Sequence, residues 1–167
     1  MLEKTFLDEL SKLKGKECWG IVGGAGTGSI ISLNIGEKYL RNNPLKNTFL
    51  SDLVRRYESE YGFMLHCPWR IDHDNYVLCG SYHSNELDGP YQEVFSQVIG
   101  NKITNIICEP PAFDLKLCFE NLVSINIYCT NTGIDYDECY SFKSPIGWFE
   151  VGYNGRLSFE EFDKLPH

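Results

Sequence analysis

A single stretch decides the fold: residues 102–130 read KITNIICEPPAFDLKLCFENLVSINIYCT. Apolar residues occupy every second position in both of its halves; they are Leu115, Leu117 and Phe119, then Val123, Ile125 and Ile127. Glu120-Asn121 lies between the two halves and predicts a tight turn. A period of two is typical of strands with one buried and one solvated face, so the stretch predicts an antiparallel β-hairpin.

A second hairpin is predicted near the end of the chain, around Asn154-Gly155. Asn-Gly is a strong turn signal because both residues adopt a positive φ at low cost. The flanking strands are predicted over Trp148–Tyr153 and Arg156–Phe159. Similar patterns predict further strands at 17–23, 29–35, 37–40, 63–71 and 76–81.

Three helices are expected beside these strands. The first lies within residues 1–15, where apolar residues recur every three or four positions, and the others lie near 48–58 and 91–99. We therefore predict one α+β domain over residues 1–167, with a sheet-rich core at 16–160 and mainly antiparallel strands. Two shapes stay open for the sheet, a curled sheet and a split barrel.

The amino-acid composition limits the classes of function that the chain can have. The chain has 167 residues, of which 43% are hydrophobic and 14% aromatic, enough for a packed core. Asp and Glu outnumber Lys and Arg by 23 to 15, so the net charge is −8, which disfavours a nucleic-acid partner. No apolar run approaches the ~20 residues of a membrane span, and no signal core begins the chain. We expect a cytoplasmic protein with no membrane partner and no cofactor.

Seven cysteines are present, at positions 18, 67, 79, 108, 118, 129 and 139. Their odd number and the lack of an export signal argue against a disulfide framework. We expect reduced thiols that act as small hydrophobic side chains.

A glycine-rich segment, GGAGTG at residues 23–28, suggests either a structural turn or a loop that binds a ligand. The dinucleotide fingerprint is incomplete because Ser29 stands where the third glycine should be. Residues 30–33, IISL, alternate like a strand, whereas an anion site of this kind needs a helix after the loop. If the segment binds a ligand, the residues are Gly24, Gly26, Thr27 and Ser29.

Neither a metal site nor a nucleophile is supported by the residue pattern. Zinc ligand types gather at His66, Cys67, His73, Cys79 and His83, but without a close ligand pair such as C-x-x-C. A cysteine nucleophile needs a lowered thiol pKa in an electropositive setting, and nothing local supplies one: Cys118 lies between Leu117 and Phe119, and Cys67 precedes Pro68. We predict no metal site and no catalytic residue.

Two acidic clusters are candidates for contacts with a partner, Asp72 with Asp74, and Asp135 with Asp137 and Glu138. Neither cluster has the spacing of a calcium loop. Solvated turns are the plainer interpretation of both. Acidic loops on a negatively charged domain can also steer and pair with a basic protein.

The tryptophans Trp19, Trp69 and Trp148 all lie in predicted strands, and core packing is the expected role of each. Arg70 follows Trp69 in a buried-looking strand and therefore needs a carboxylate partner. Asp114 is one candidate for that partner.

The order of several motifs resembles a family of small uncharacterised bacterial proteins, some of which are encoded near polymorphic toxins and are presumed immunity proteins. The residues that carry the resemblance are Cys18-Trp19, Gly26-Thr27-Gly28-Ser29, Leu33-x-x-Gly36, Cys67-Pro68-Trp69-Arg70-Ile71 and Asp114-Leu115-x-Leu117-x-Phe119. The resemblance implies a compact cytosolic protein without catalytic residues. It assigns no site residues.

Three hypotheses about function are open at this point. The leading one is a non-enzymatic protein-binding domain, whose sharpest version is an immunity protein that neutralises a toxin domain. The alternative is a small-molecule-binding or catalytic domain that uses the Gly-rich loop at 23–29, with a pocket lined by Trp19 or Trp69. A third is a homo-oligomer that pairs strand edges.

Overall fold

The computed structural model describes residues 1–24, 28–130 and 138–163. Within these ranges the helices are α1 (Leu2–Ser11), α2 (Asp52–Arg56) and α3 (Tyr91–Val98). The first strands are β1 (Glu17–Gly24), β2 (Gly28–Leu40), β3 (Tyr57–Leu65), β4 (Trp69–His73) and β5 (Tyr76–Gly80). The later strands are β6 (Asn101–Glu109), β7 (Asp114–Phe119), β8 (Val123–Ile127), β9 (Glu138–Ser144), β10 (Gly147–Gly152) and β11 (Leu157–Glu161).

The eleven described strands form one antiparallel sheet in the order β11-β10-β9-β3-β2-β1-β6-β7-β8-β4-β5. The predicted α+β class, with mainly antiparallel strands and three short helices, is confirmed. The sheet is not closed, and the split barrel is not confirmed. The strands β11 and β5 lie at its two ends.

The hairpin predicted from residues 102–130 is confirmed as β6, β7 and β8. Leu117 lies opposite Ile125 across β7 and β8, and both side chains are buried. The predicted turn is present, and Leu122 takes a φ of 68° within it. The second hairpin is also confirmed, since β10 and β11 pair across a short 3₁₀ turn at Tyr153–Gly155.

Helices α1 and α3 both pack against the core. Phe6 of α1 packs against the rings of Phe113, Phe142 and Phe149, with centroids 5.4–6.2 Å apart. The predicted helix near 91–99 is α3, whose buried Phe95 contacts Trp69 of β4. Burial of such aromatic rings is a main source of core stability.

The predicted helix near 48–58 is much shorter, because α2 ends at Arg56 and Tyr57 begins β3. Tyr57 and the residues after it pair with β2 and β9, and this pairing outweighs a helical apolar pattern in the sequence. Phe49, which falls within the helix predicted near 48–58, lies before α2 and is exposed.

Two strand predictions are wrong in detail, and one strand was not predicted. The stretch 37–40 is not a separate strand, because β2 continues through a bulge where Gly36 has a φ of 85°. The predicted strand 63–71 is two strands, β3 and β4, separated at residues 66–68. Strand β9, which pairs with β3 and β10, was not predicted. None of the described helices is long and apolar enough to cross a membrane.

Candidate functional site

The described part of the Gly-rich segment is held by amide side chains. Asn85 Nδ2 donates hydrogen bonds to the carbonyls of Gly24 (3.2 Å) and Gly28 (3.3 Å). Gln92 of α3 donates to the carbonyl of Gly23 at 3.3 Å. These backbone carbonyls therefore accept hydrogen bonds from α3 and from the chain just before it.

Ser29 lies in β2, and its carbonyl accepts a hydrogen bond of 2.7 Å from the Trp69 indole. Two further predicted ligand residues, Gly26 and Thr27, lie outside the described residues. Ligand binding by this loop stays a prediction.

Asp72 is not a solvated turn residue, because it lies within β4 and its side chain is 15% exposed. It accepts two hydrogen bonds of 2.8 Å from Arg70 and one of 3.1 Å from Asn126. Arg70 therefore pairs with Asp72, and the suggestion of Asp114 is wrong: Asp114 accepts from the Cys129 backbone instead. The Asp72 carboxylate raises the pKa of Arg70 through this hydrogen bonding. Asp74 does lie in the predicted turn, with a φ of 48°.

A groove of about 310 Å³ lies beside this pair. The Arg70 guanidinium stacks over Tyr128 at 5.5 Å, and Tyr82 and Pro68 complete the apolar lining. Trp69 also lines the groove, as the small-molecule hypothesis expected of one tryptophan. Its indole joins the groove to the Gly-rich loop through Ser29.

All seven cysteines are free thiols, as expected. Burial raises the pKa of Cys18 and Cys79 to about 12. The pKa of Cys129 is also raised, because its thiol lies in a hydrogen-bonded group with those of Cys67 and Cys139. A raised pKa keeps the thiol protonated and unreactive near neutral pH.

The histidines and cysteines considered for zinc have other roles. His83 Nδ1 accepts a hydrogen bond of 2.9 Å from the Gly80 backbone, and His66 lies 3.1 Å from the carboxylate of Glu138. In the ranges that the structure describes, no group of three or more His, Cys, Asp or Glu side chains is arranged to hold a metal ion.

The outer surface of β9, β10 and β11 carries the most distinctive arrangement. Phe149 and Val151 of β10 are fully buried, so the alternate residues Trp148 and Glu150 face away from the core. We call the surface on this side the acidic face; it consists of Glu138, Ser141, Trp148, Glu150, Ser158 and Glu160.

Strand register places these side chains together. Trp148 lies opposite Glu160 of β11, and Glu150 lies between Ser141 of β9 and Ser158 of β11. Directly opposite residues on one face have Cβ atoms roughly 4.5–5.5 Å apart. The face therefore presents an indole bordered by carboxylates.

Two open grooves run along the acidic face. One, of about 410 Å³, is lined by Glu138, Trp148, Glu150 and Glu160 among others. The second, of about 420 Å³, continues from Glu138 and Glu150 to Arg156. Both grooves are lined mainly by polar and charged side chains, which suit a charged protein partner better than an apolar small molecule.

Aromatic and basic neighbours complete the face. Trp148 is 39% exposed and meets the ring of Phe162 edge-on, with centroids 6.4 Å apart. Lys143, opposite Trp148 on β9, is neutralised by an ion pair of 2.8 Å with Glu58. This pairing lowers the pKa of Glu58. Lys143 therefore adds little unpaired positive charge beside Trp148.

Among the predicted partner-contact residues, Glu138 lies on the acidic face, whereas Asp72 and Asp74 lie on β4 and the turn after it. Asp135 and Asp137 lie outside the described residues. Core packing is confirmed for Trp19 and Trp69 and is wrong for Trp148. The alternation Trp148-Phe149-Glu150-Val151 before the Asn-Gly turn already contained the signal that Trp148 and Glu150 share a face.

Comparison of the chain with protein-family models, with curated proteins and with solved structures gave no match.

Proposed function

We propose that this protein is a non-enzymatic protein-binding domain that uses the acidic face to contact a basic partner. In the sharpest version it is a bacterial immunity protein that binds and neutralises a toxin domain in the cytoplasm. The exposed indole of Trp148 among carboxylates is the observation that carries the proposal.

An exposed tryptophan on a regular strand has a plain physical interpretation. Tryptophan contributes a large apolar surface, and it is enriched among the residues that dominate binding energy at protein interfaces. Trp148 is anchored in β10 between β9 and β11, so the backbone at this position does not need to be ordered on binding. A partner that covers the indole gains apolar burial without rearranging the sheet.

The negative charge of the chain and of the acidic face supports a basic protein as the partner. The chain has a net charge of −8, and beside Trp148 on the face lie Glu160, directly opposite on β11, and Glu150, two residues along β10. A negative surface accelerates encounter with a positively charged protein and disfavours other acidic proteins. Toxin domains that act on nucleic acids need basic surfaces, so an acidic face matches that class.

The alternative function is small-molecule binding, and the groove beside Arg70 and Tyr128 favours it. Its apolar lining and its link to the Gly-rich loop through Trp69 match the pocket that this hypothesis requires. A thermal-shift screen of small aromatic ligands tests it, with Tyr128→Ala as the variant that should abolish any shift.

The gene's neighbourhood tests the leading function. We expect an adjacent gene for a large secreted protein with a variable C-terminal domain, and we expect that domain to form a stable complex with this protein when the two are co-expressed. Neighbouring genes that encode only metabolic enzymes, together with a ligand-induced thermal shift, would replace this proposal with the alternative.

A further inference from the structure

A second surface has the opposite charge. Residues 38–56 contain five basic side chains and one acidic side chain, within a chain whose net charge is −8. We call this segment the basic arm; it comprises the end of β2, the connection 41–51 and α2. One third of the fifteen Lys and Arg residues therefore lies in one short segment.

The basic arm holds large apolar side chains in solvent. Phe49 is 98% exposed, Leu40 is 72% exposed and Tyr39 is 54% exposed. All residues from 42 to 49 are exposed, so this part of the arm stands out from the sheet. An exposed cluster of apolar side chains is a mark of an interaction surface.

Hydrogen bonds hold the part of the chain that carries these exposed apolar side chains. The backbone of Arg41 bonds to that of Arg56 at 2.8 Å, and Arg55 Nε donates to the Leu45 carbonyl at 3.0 Å. Ser51 Oγ accepts a hydrogen bond from the Val54 backbone at the start of α2. These bonds tie the connection 41–51 to α2, and the side chains of Leu40 and Phe49 are exposed beside them.

Basic side chains lie close in sequence to the exposed apolar side chains of the basic arm. Arg55 pairs with Asp52, whereas Lys46 and Arg56 are exposed and take part in no ion pair among the described residues. Their charges are free to meet an anionic surface. Leu40-Arg41 and Leu45-Lys46 place an apolar and a basic residue side by side along the arm.

We propose that the basic arm docks on the surface of an anionic phospholipid bilayer, with Phe49 and Leu40 entering the interfacial region. An interleaved set of basic and apolar side chains binds such surfaces by charge attraction and by shallow apolar burial. A bilayer interface can take up the exposed Phe49 ring, since apolar side chains bury about 5–10 Å into the boundary between headgroups and acyl chains. The expectation of no membrane partner rested on the lack of a membrane-spanning segment. Peripheral docking on a bilayer surface needs no such segment, so the two statements do not conflict.

Vesicle co-sedimentation tests the proposal. The full chain is mixed with vesicles of phosphatidylcholine containing phosphatidylglycerol, and in parallel with phosphatidylcholine alone. We expect binding to the anionic vesicles that weakens as salt is raised, and little binding to the neutral ones. Phe49→Ala should weaken the binding about tenfold, and Lys46→Glu with Arg56→Glu should weaken it at least as much.

Leu87→Ala is the matched control, because Leu87 is also an exposed apolar residue but lies outside the arm, in the connection between β5 and α3. It should bind vesicles like the wild type. Because Phe49 has almost no packing contact to lose, Phe49→Ala should melt at the wild-type temperature. Equal binding to both vesicle types, or wild-type binding by Phe49→Ala, would overturn the proposal. Binding to poly-glutamate without binding to vesicles would assign the arm to an acidic protein instead.

Discussion

Trp148 on β10 lies directly opposite Glu160 on β11, on the side of the sheet that faces away from the buried Phe149. Glu150, two residues along β10, faces the same way. An exposed indole thus stands beside two carboxylates on a surface whose backbone is fixed by three strands. This relationship is the basis of the proposed contact with a basic protein.

Trp148→Ala should separate binding from stability. Because the indole is 39% exposed, we expect its removal to lower the free energy of unfolding by only about 1 kcal/mol. Affinity for the partner should fall by about 2 kcal/mol or more, since a covered tryptophan dominates such interfaces. Urea unfolding and titration calorimetry measure the two quantities. Tyr76→Ala, an exposed aromatic on β5, is the control and should leave affinity unchanged.

Asp72→Asn should destabilise the fold and Asp74→Asn should not. The Asp72 carboxylate accepts two hydrogen bonds from Arg70 and one from Asn126, and its amide replacement cannot accept them all. With Arg70 partly exposed, the expected loss is about 1 kcal/mol. Asn tolerates the positive φ at position 74, so that variant should unfold within about 0.5 kcal/mol of the wild type. Equal urea midpoints for the two variants would contradict this role of Asp72.

Gly155→Ala and Gly100→Ala form a second matched pair. Both glycines have a positive φ, 72° and 91°, so both variants strain the backbone by about 1 kcal/mol. Of the two, only Gly155 would place the new Cβ against another backbone atom, the Pro111 carbonyl oxygen, whereas Gly100 has open space. We expect Gly155→Ala to melt well below Gly100→Ala in a thermal scan. The same melting temperature for both would show that the 3₁₀ turn does not press on Pro111.

Alkaline pH should destabilise the protein through its buried thiols. Burial raises the pKa of Cys18 from 9.0 to about 12, so the folded state keeps a proton that the unfolded state loses. The free energy of unfolding should therefore fall as the pH rises from about 9 towards about 12. Cys18→Ala lacks this titration, and the drop in its urea midpoint between pH 8 and pH 10.5 should be smaller. A drop equal to that of the wild type would contradict the assignment.

Local patterns predicted most of the hairpins, because an alternation of period two and an Asn-Gly turn depend only on neighbouring residues. They failed where distant pairing decides the structure. Tyr57 belongs to a helical apolar pattern in the sequence. It begins strand β3 instead, because β3 pairs with β2 on one side and with β9 on the other. Strand β9 was missed because its sequence, ECYSFKS, does not alternate cleanly and its partner β3 is distant in sequence.

The residues of the candidate site were harder to predict from the sequence than the fold was. Arg70 and Asp72 are two apart on a strand, so their pairing could have been predicted from same-face spacing. Glu150 and Glu160 are ten residues apart and become neighbours only through the register of β10 with β11. Single acidic residues of this kind carry no signal until the register is known.

The most direct test of the account is a growth assay with charge reversal on the acidic face. The toxin domain expected beside the gene is induced together with the wild type, with Glu150→Lys/Glu160→Lys, or with Glu86→Lys/Asp88→Lys, an equal charge change in the exposed loop after β5. We predict that the wild type and the loop variant restore growth and bind the domain equally, whereas the face variant does neither and still folds. Full protection and wild-type affinity in the face variant would contradict the assignment of the acidic face as the partner-binding surface.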